Sequence, residues 1–553
     1  MKKRLLAVLL ACSLCFGLFA GSALAEQADY SKHLNITLWV HTDDNEDGYL
    51  ADTNDNPVLK LLSEKFNVTF EWQIPPTGSE ADQMSIMLGS GDYTDVFDTS
   101  FSPQPAIELF EDGVIRDLTT YVEKYMPNYM AYLAEHEDVR KSVYVADGKI
   151  IYLPLLYNEA TLGWGGLIYD RMILDKMTEG NIQFPSGNEE PTTVNDWEYM
   201  LGLMKQYFEA AGRTDYACLI IPAAGFFSTG DLLTGFGTTG AFYVDGDEKI
   251  QYGVFEEGFY NYLLKMKDWY EKGYIYQDFA SRNSDPFYFP NTALTYGGAT
   301  GAFYGLTQQL YGGMDIADYG MAFDYRAVTS PLDTENNATA LPANAMVNGN
   351  SAGVFLDGWV VSVSCDDEKL IRWLQICDYL YGEEGSMAKS YGLTKEQAGD
   401  DPIYAKLGMA DGAYWFDSDG KFVYNPVSDP FSPEMTIKEN HLRIARLPGI
   451  TNWTYYNQLS SEKMLVADAA WAANGYSACI PRGVKQTVEE IAEMAPLSTA
   501  CNDYINSMVP KFIMGTETLS EETFAAFVSQ VKTLGMDRCI EIWQGAYDRY
   551  DAE

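Results

Sequence analysis

SIMLGSGDYTDVFDTSF, residues 85–101, is the stretch on which the fold turns. Ile86, Met87 and Leu88 form the apolar end of a helix, and Gly89 and Gly91 can take the positive φ of a helix C-cap. Asp95, Val96 and Phe97 then begin a short strand. A helix, a glycine stop and a strand place Asp98 to Ser102 at the carboxyl end of a sheet strand, where open α/β folds put their ligands. One wall of a binding cleft is expected there.

Upstream, Leu34 to Val40 (LNITLWV) has strand character and runs into a polar, acidic loop, His41 to Asn56. Pro57 to Phe66 starts with proline at a helix N-terminus and repeats apolar residues at helical spacing, and Val68 to Trp72 alternates as a second strand. The result is a strand, helix, strand unit leading into the opening stretch. Within the acidic loop, Asp43, Asn45, Asp47 and Gly48 match the first half of a calcium-binding loop. The closing bidentate carboxylate is missing, because Asn54 stands at position twelve. A solvated cleft loop is therefore expected, with no metal.

Met1 to Ala25 is a secretory leader, with Lys2, Lys3 and Arg4 ahead of the apolar run Leu5 to Ala20 and a small-x-small cleavage site at Ala23-Leu24-Ala25. A rival reading takes Leu9-Leu10-Ala11-Cys12 as a lipoprotein box with Cys12 lipidated. Either way export is expected, to the extracellular space or the cell surface. No other run approaches the ~18 apolar residues of a membrane helix. The remaining Cys218, Cys365, Cys377, Cys479, Cys501 and Cys539 are widely spaced and sit mostly in apolar runs, which favours buried thiols over a disulfide framework.

The 553 residues exceed what one hydrophobic core usually supports, so at least two lobes are expected. The formal charge is −42, and loss of the leader's three cations takes it to −45. Such a field repels nucleic acid and anionic membranes and favours neutral or cationic ligands.

Later segments add elements and a resemblance. Pro191 to Tyr207 is an amphipathic helix with Thr193 ahead of it, Asp196 in its first turn, and an apolar stripe of Trp197, Met200, Leu201 and Met204. Asn291 to Tyr304 is taken as a strand ending at Gly297-Gly298, Phe355 to Ser364 as a strand, and Leu370 to Tyr391 as one helix. The opening stretch resembles the GD-x-PD-V region of extracellular solute-binding proteins of ABC sugar importers, with Thr94 where that family often has proline. Further blocks are similar to that family: PTTVNDW at 191–197, KDWYEKGYIYQDF ending at Phe279, YLYGEEGSMAKSYG ending at Gly392, and the tail Pro510 to Tyr550. With the strand, helix, strand unit from Leu34 to Trp72, which resembles that family's opening, they span residues 34 to 550.

The resemblance implies a two-lobe α/β fold of the periplasmic-binding-protein type II class, each lobe a mixed sheet flanked by helices. Lobe 1 is expected from 26–157 plus 352–400, and lobe 2 from 158–351 plus 401–553. It implies capture of a carbohydrate, an oligosaccharide, delivered to ABC transporter permease subunits. A monomer without cofactor is expected.

Only four histidines occur, His33, His41, His136 and His441, and the zinc-protease, nucleophile-elbow and P-loop motifs are absent from the sequence. A glycosidase needs only two suitably spaced carboxylates, so a secreted glycan-active hydrolase stays open, as does a peptide receptor on the same fold. A sugar site needs aromatic plates for CH faces, with carboxylates and amides for hydroxyls. Candidates at strand ends and loops are Trp39, His41 and Asp43, then Asp95, Thr99, Ser100 and Phe101. Trp164, set between Gly163 and Gly165-Gly166, Tyr296 and Thr300, and Trp359, Trp453 and Trp471 complete the set.

Overall fold

The computed structural model describes residues 30–40, 50–145, 148–158, 165–221, 231–281, 294, 298–306, 324–343, 354–425, 444, 446–455, 462–473 and 475–552. Strand β1 (Leu34–Trp39) pairs in parallel with β2 (Val68–Gln73) along its whole length, from Leu34 opposite Val68 to Trp39 opposite Gln73. Helix α1 (Pro57–Phe66) makes the crossover. The Asn56 side chain accepts from the N–H of Val58 (2.9 Å) and of Leu59 (3.3 Å), and Asn67 ends the helix in the left-handed region. Helix α2 (Glu80–Ser90) stops at Gly91, φ 74°, and β3 (Val96–Asp98) follows beside β1. The helix, glycine stop and strand expected at 85–101 are all present.

The first sheet has the order β14-β4-β11-β3-β1-β2, where β4 is Leu153–Tyr157, β11 is Val354–Val361 and β14 is Gly449–Thr451. Strand β11 runs antiparallel to both β3 and β4, and β14 runs parallel to β4. The carboxyl ends of β1, β2, β3, β4 and β14 therefore share one edge. The core under this sheet contains Phe70, Tyr129, Trp359 and Trp373, and its helices include α3 (Pro127–Glu135) and α4 (Glu137–Val143).

The second sheet has the order β10-β5-β9-β6, where β5 is Gly165–Asp170, β6 is Ala217–Leu219, β9 is Thr300–Leu306 and β10 is Tyr325–Val328, while β7 (Phe242–Val244) and β8 (Ile250–Tyr252) form a separate hairpin. Helices α5 (Arg171–Thr178), α6 (Val194–Ala210) and α7 (Glu257–Glu271) join its fold, with Trp197, Phe208, Tyr262 and Trp269 fully buried. Thr193 and Asp196 close a reciprocal capping box on α6. The tail supplies α10 (Glu462–Trp471), α11 (Val488–Ile513), α12 (Glu521–Thr533) and α13 (Met536–Ala552).

Three elements differ from the sequence reading. The helix expected over 370–391 is two, α8 (Asp367–Tyr381) and α9 (Glu383–Tyr391), divided at Gly382 in extended conformation. The second starts so close to the first that a Cβ on Gly385 would overlap the Tyr379 carbonyl. The strand expected to end at Gly297-Gly298 instead begins after the glycines, at Thr300. Strand β14 lies in the first sheet, so sheet membership carries that sheet past the boundary expected at residue 400. Cys218, Cys365, Cys377, Cys501 and Cys539 are buried free thiols, and burial pushes Cys365 up to about 12 and Cys539 to about 11.

Two carboxyls titrate late. Burial raises Asp378 to about 6, against opposing bonds from the N–H of Tyr129 (3.0 Å) and the Asn128 amide (3.1 Å). Burial likewise raises Asp170 to about 6, although its Oδ1 accepts from the N–H of Met172 and of Asp324. Both groups bind more protons folded than unfolded, so stability falls as pH rises through about 6. Partnered acids such as Glu198 and Glu490 lie below the usual carboxylate range and stay ionised in that window. Thermal unfolding is therefore expected at higher temperature at pH 5 than at pH 7.5, and Asp378→Asn should shrink the difference.

Candidate functional site

The carboxyl-end edge of the first sheet begins at β3. The Asp98 carboxylate accepts from the Ser100 N–H (2.9 Å) and hydroxyl (2.6 Å), and the Ser102 N–H donates to the Thr99 carbonyl (2.9 Å), which closes a tight turn. The turn pushes Phe101 outward, where it is 36% exposed, with Ser100 exposed beside it. Thr99 faces the other way. Its hydroxyl and N–H both donate to the Gly358 carbonyl, at 2.9 and 3.2 Å, and pin the turn to β11 at an irregularity in register between Phe355 and Gly358.

The ends of β4 and β14 lie farther along the same edge. Three consecutive buried residues of α9 hold the end of β14. Lys389 Nζ donates to the Thr451 hydroxyl (2.9 Å), Ser390 Oγ accepts from the Asn452 N–H (2.7 Å), and the Tyr391 hydroxyl donates to the Asn452 carbonyl (2.6 Å). From β4, Asn158 Oδ1 accepts from the Trp453 N–H (2.7 Å) and Nδ2 donates to the Thr454 hydroxyl (2.9 Å). Trp453 is thereby fixed, half-buried, edge-to-face with Tyr157 at 5.9 Å between ring centroids. The neighbouring Arg482 guanidinium is half-buried, and burial lowers its pKa against the opposing influence of Tyr157.

A notch in the same wall is lined by Val40, Thr53, Trp72, Trp359, Arg446 and Leu447, among others. The centre of a water-sized sphere can reach about 20 Å³ within it, room for about one water. It is wall texture rather than a sugar-sized cavity. Trp72 at its rim donates from Nε1 to Asn54 Oδ1 (3.1 Å), so Asn54, at the position of the missing calcium ligand, anchors an indole. Sequence reasoning missed Trp72, Tyr157 and Asn158. The signal for Trp72 was the alternation of Val68, Phe70 and Trp72 on one face of β2.

The other expected contact residues divide by position. Trp39 is buried against Met84, Phe97, Tyr152 and Val360. Asp95 lies at the opposite end of β3 from Asp98, bound to Thr37 and Lys369. Trp359 is fully buried and donates to the Arg446 carbonyl. Trp471 is buried on the face of the second sheet, its Nε1 donating to the Leu167 carbonyl (3.0 Å), and a Cβ at Gly166 would overlap its indole. That packing accounts for one glycine of the Gly165-Gly166 break. Thr300, also buried, opens β9 six residues before Leu306, which pairs with Gly165 where the chain arrives from β4. At a rise of ~3.3 Å per residue it is about 20 Å from that end. These five side chains belong to the packing. Trp164, Tyr296, His41 and Asp43 lie outside the described residues, as do Asn45, Asp47 and Gly48 of the calcium-like loop, the leader and Cys12. Among the described residues, no group of three or more His, Cys, Asp or Glu side chains could hold a metal ion.

No family model and no curated protein sequence matches the chain. Solved structures do. A Bifidobacterium longum infantis protein described as an HMO-binding, ABC-transporter-associated solute-binding protein is 18% identical, with TM-score 0.69, covering 94% of this chain and 99% of that one. The fold is the two-lobe, type II periplasmic-binding-protein fold. The Streptococcus pneumoniae ABC-transporter substrate-binding protein FusA, solved with kestose, is 17% identical with TM-score 0.69 and covers 94% of this chain and 100% of its own. The alginate-binding protein AlgQ2, solved without calcium, is 17% identical with TM-score 0.66 over 94% and 98% of the two chains. Among the described residues of this type II fold, no helix is long and apolar enough to cross a membrane.

Proposed function

We propose that the protein is the exported, ligand-capturing component of an ABC importer, which holds a neutral oligosaccharide between its lobes and presents it to a membrane permease. The observation that carries this reading is the Trp453–Tyr157 pair, braced by Asn158 and α9 at the edge where five strand ends converge. A rigid indole beside amides and hydroxyls suits a sugar, whose apolar CH face stacks while its hydroxyls seek hydrogen bonds. The ligands named for similar structures, kestose for FusA and HMO for the Bifidobacterium protein, support the same class. The charge of −42 favours a neutral ligand over an anionic one.

In this reading lobe 1 comprises the first sheet, with 26–157 and the chain from 352 through β14, and lobe 2 comprises 158–351 and the tail helices. Ser100, Phe101, Trp72, Tyr157 and Trp453 form the lobe 1 wall. The protein works as a monomer without cofactor, free or tethered through Cys12, and closes on its ligand by hinge motion.

Trp453→Ala should weaken oligosaccharide binding about 30-fold, the effect of removing an aromatic anchor worth roughly 2 kcal/mol. Its thermal midpoint should fall by less than truncation of a fully buried tryptophan would lower it, since Trp453 keeps partial exposure. Calorimetric titration of wild type and variant checks both; equal affinities would remove Trp453 from the site.

A further inference from the structure

The loop that carries Trp453 continues directly to Tyr455, and Tyr455 joins a second group of aromatic rings. Strands β12 (Tyr414–Phe416) and β13 (Phe422–Tyr424) form a hairpin in which Tyr414 faces Tyr424 and Phe416 faces Phe422. Directly opposed residues share a face, so all four rings lie on one side. Tyr455 stacks on Phe422 at 4.4 Å and 16°, and the edge of Phe416 meets Tyr455 at 5.4 Å. Tyr391, which fixes Asn452, packs beneath them with its ring 4.9 Å from Phe422.

Tyr391, Tyr414, Phe422 and Tyr424 are buried and account for the stability of the hairpin. Phe416 is not buried: it is 47% exposed at the margin of this face. On the opposite face Trp415 is 37% exposed, across from Val423. Exposed Asp417, Ser418, Asp419 and Lys421 surround the tip, and the turn is locked by Asp417 Oδ1, which accepts from the N–H of Asp419 and of Lys421 at 2.9 Å each.

We infer that the Phe416–Tyr455 margin is an outer sugar subsite, which receives the units of an oligosaccharide that extend past Trp453. The inference rests on the carbohydrate reading of the cleft and specifies its reach. Two arguments support this occupant. The margin is continuous with the Trp453 wall, since Tyr455 lies two residues farther along the chain and Tyr391 both holds Asn452, just before Trp453, and meets the Tyr455 ring at 6.3 Å. It also sets an aromatic plate beside exposed carboxylates and a hydroxyl, the combination a neutral sugar requires. The consequence is selection by chain length, with longer ligands held at both places.

The test is calorimetric titration of the protein and two variants with two ladders: sucrose, kestose and nystose, and lactose, lacto-N-tetraose and lacto-N-hexaose. In wild type, affinity should rise with length along at least one ladder. Phe416→Ser should lower the ratio of long-chain to short-chain affinity about tenfold, while Trp415→Ser, on the other face, should leave that ratio as in wild type. An unchanged ratio in Phe416→Ser, or an equal fall in Trp415→Ser, overturns the outer subsite while leaving the cleft reading in place. Absence of binding to every member of both ladders overturns the cleft reading and the subsite with it. Circular dichroism of each variant shows that the hairpin change has not unfolded the chain.

Discussion

Replacing Trp359 with alanine is expected to cost about 4 kcal/mol of folding stability, the range for truncating a fully buried tryptophan. Its side chain is 0% exposed and packs against Trp373 with centroids 5.6 Å apart. Its Nε1 donates to the Arg446 carbonyl at 2.8 Å and so ties β11 to the chain just before β14. Truncation would open a cavity at the centre of the first sheet and leave that carbonyl without its donor. Trp359→Phe should recover much of the packing but not the hydrogen bond, and should fall between the two in urea denaturation. A variant that kept wild-type stability and lost only ligand affinity would return Trp359 to the contact surface.

Removing the Asp95 carboxylate should be similarly costly, at about 3 kcal/mol for Asp95→Ala. One oxygen accepts from the Thr37 N–H (2.8 Å) and hydroxyl (2.9 Å) and from Lys369 Nζ (2.9 Å), joining β1, the start of β3 and the first turn of α8. The carboxylate is buried while Lys369 is only partly so. The loss therefore comprises an unsatisfied strand N–H and a stranded ammonium that can partly turn to water. Asp95→Asn keeps an acceptor for Thr37 and should lose less than Asp95→Ala. Equal midpoints for the two variants in urea denaturation would show that the charge, not the hydrogen bonding, carries the effect.

Much of the fold was legible because its signals are local. Asn56-Pro57 announces α1, Gly91 stops α2, and Thr193 with Asp196 caps α6, each through a hydrogen bond or a backbone preference tied to residue type. A short apolar run placed β1, and alternation placed β2, each to within a residue. What could not be read depends on partners distant in sequence. Strand β14 is three residues long, and its pairing with β4, almost 300 residues earlier, leaves no local mark. Gly382 and Gly385 read as ordinary helical positions until the approach of α9 to the end of α8 is known.

The site was harder for a related reason. A strand end supplies side chains to two faces, and one residue of offset separates a wall from a core. Trp39 turns inward onto α2, whereas Trp72, at the matching end of β2, reaches the rim. Sequence named Ser100, Phe101 and Trp453 as candidate contacts, and in the structure they follow β3 and β14 at the carboxyl-end edge of the first sheet. It could not show that Asn158 and α9 fix Trp453, or that Trp471 covers Gly166, because those contacts span hundreds of residues.

The most direct measurement is titration of the chain from Glu26 onward with a panel of neutral oligosaccharides and peptides. Tryptophan fluorescence and calorimetry would be followed by product analysis of each mixture. The account predicts saturable binding of an oligosaccharide, lost in Trp453→Ala, with the sugar recovered intact. Cleaved products formed in proportion to protein, or saturable binding confined to peptides, would contradict it.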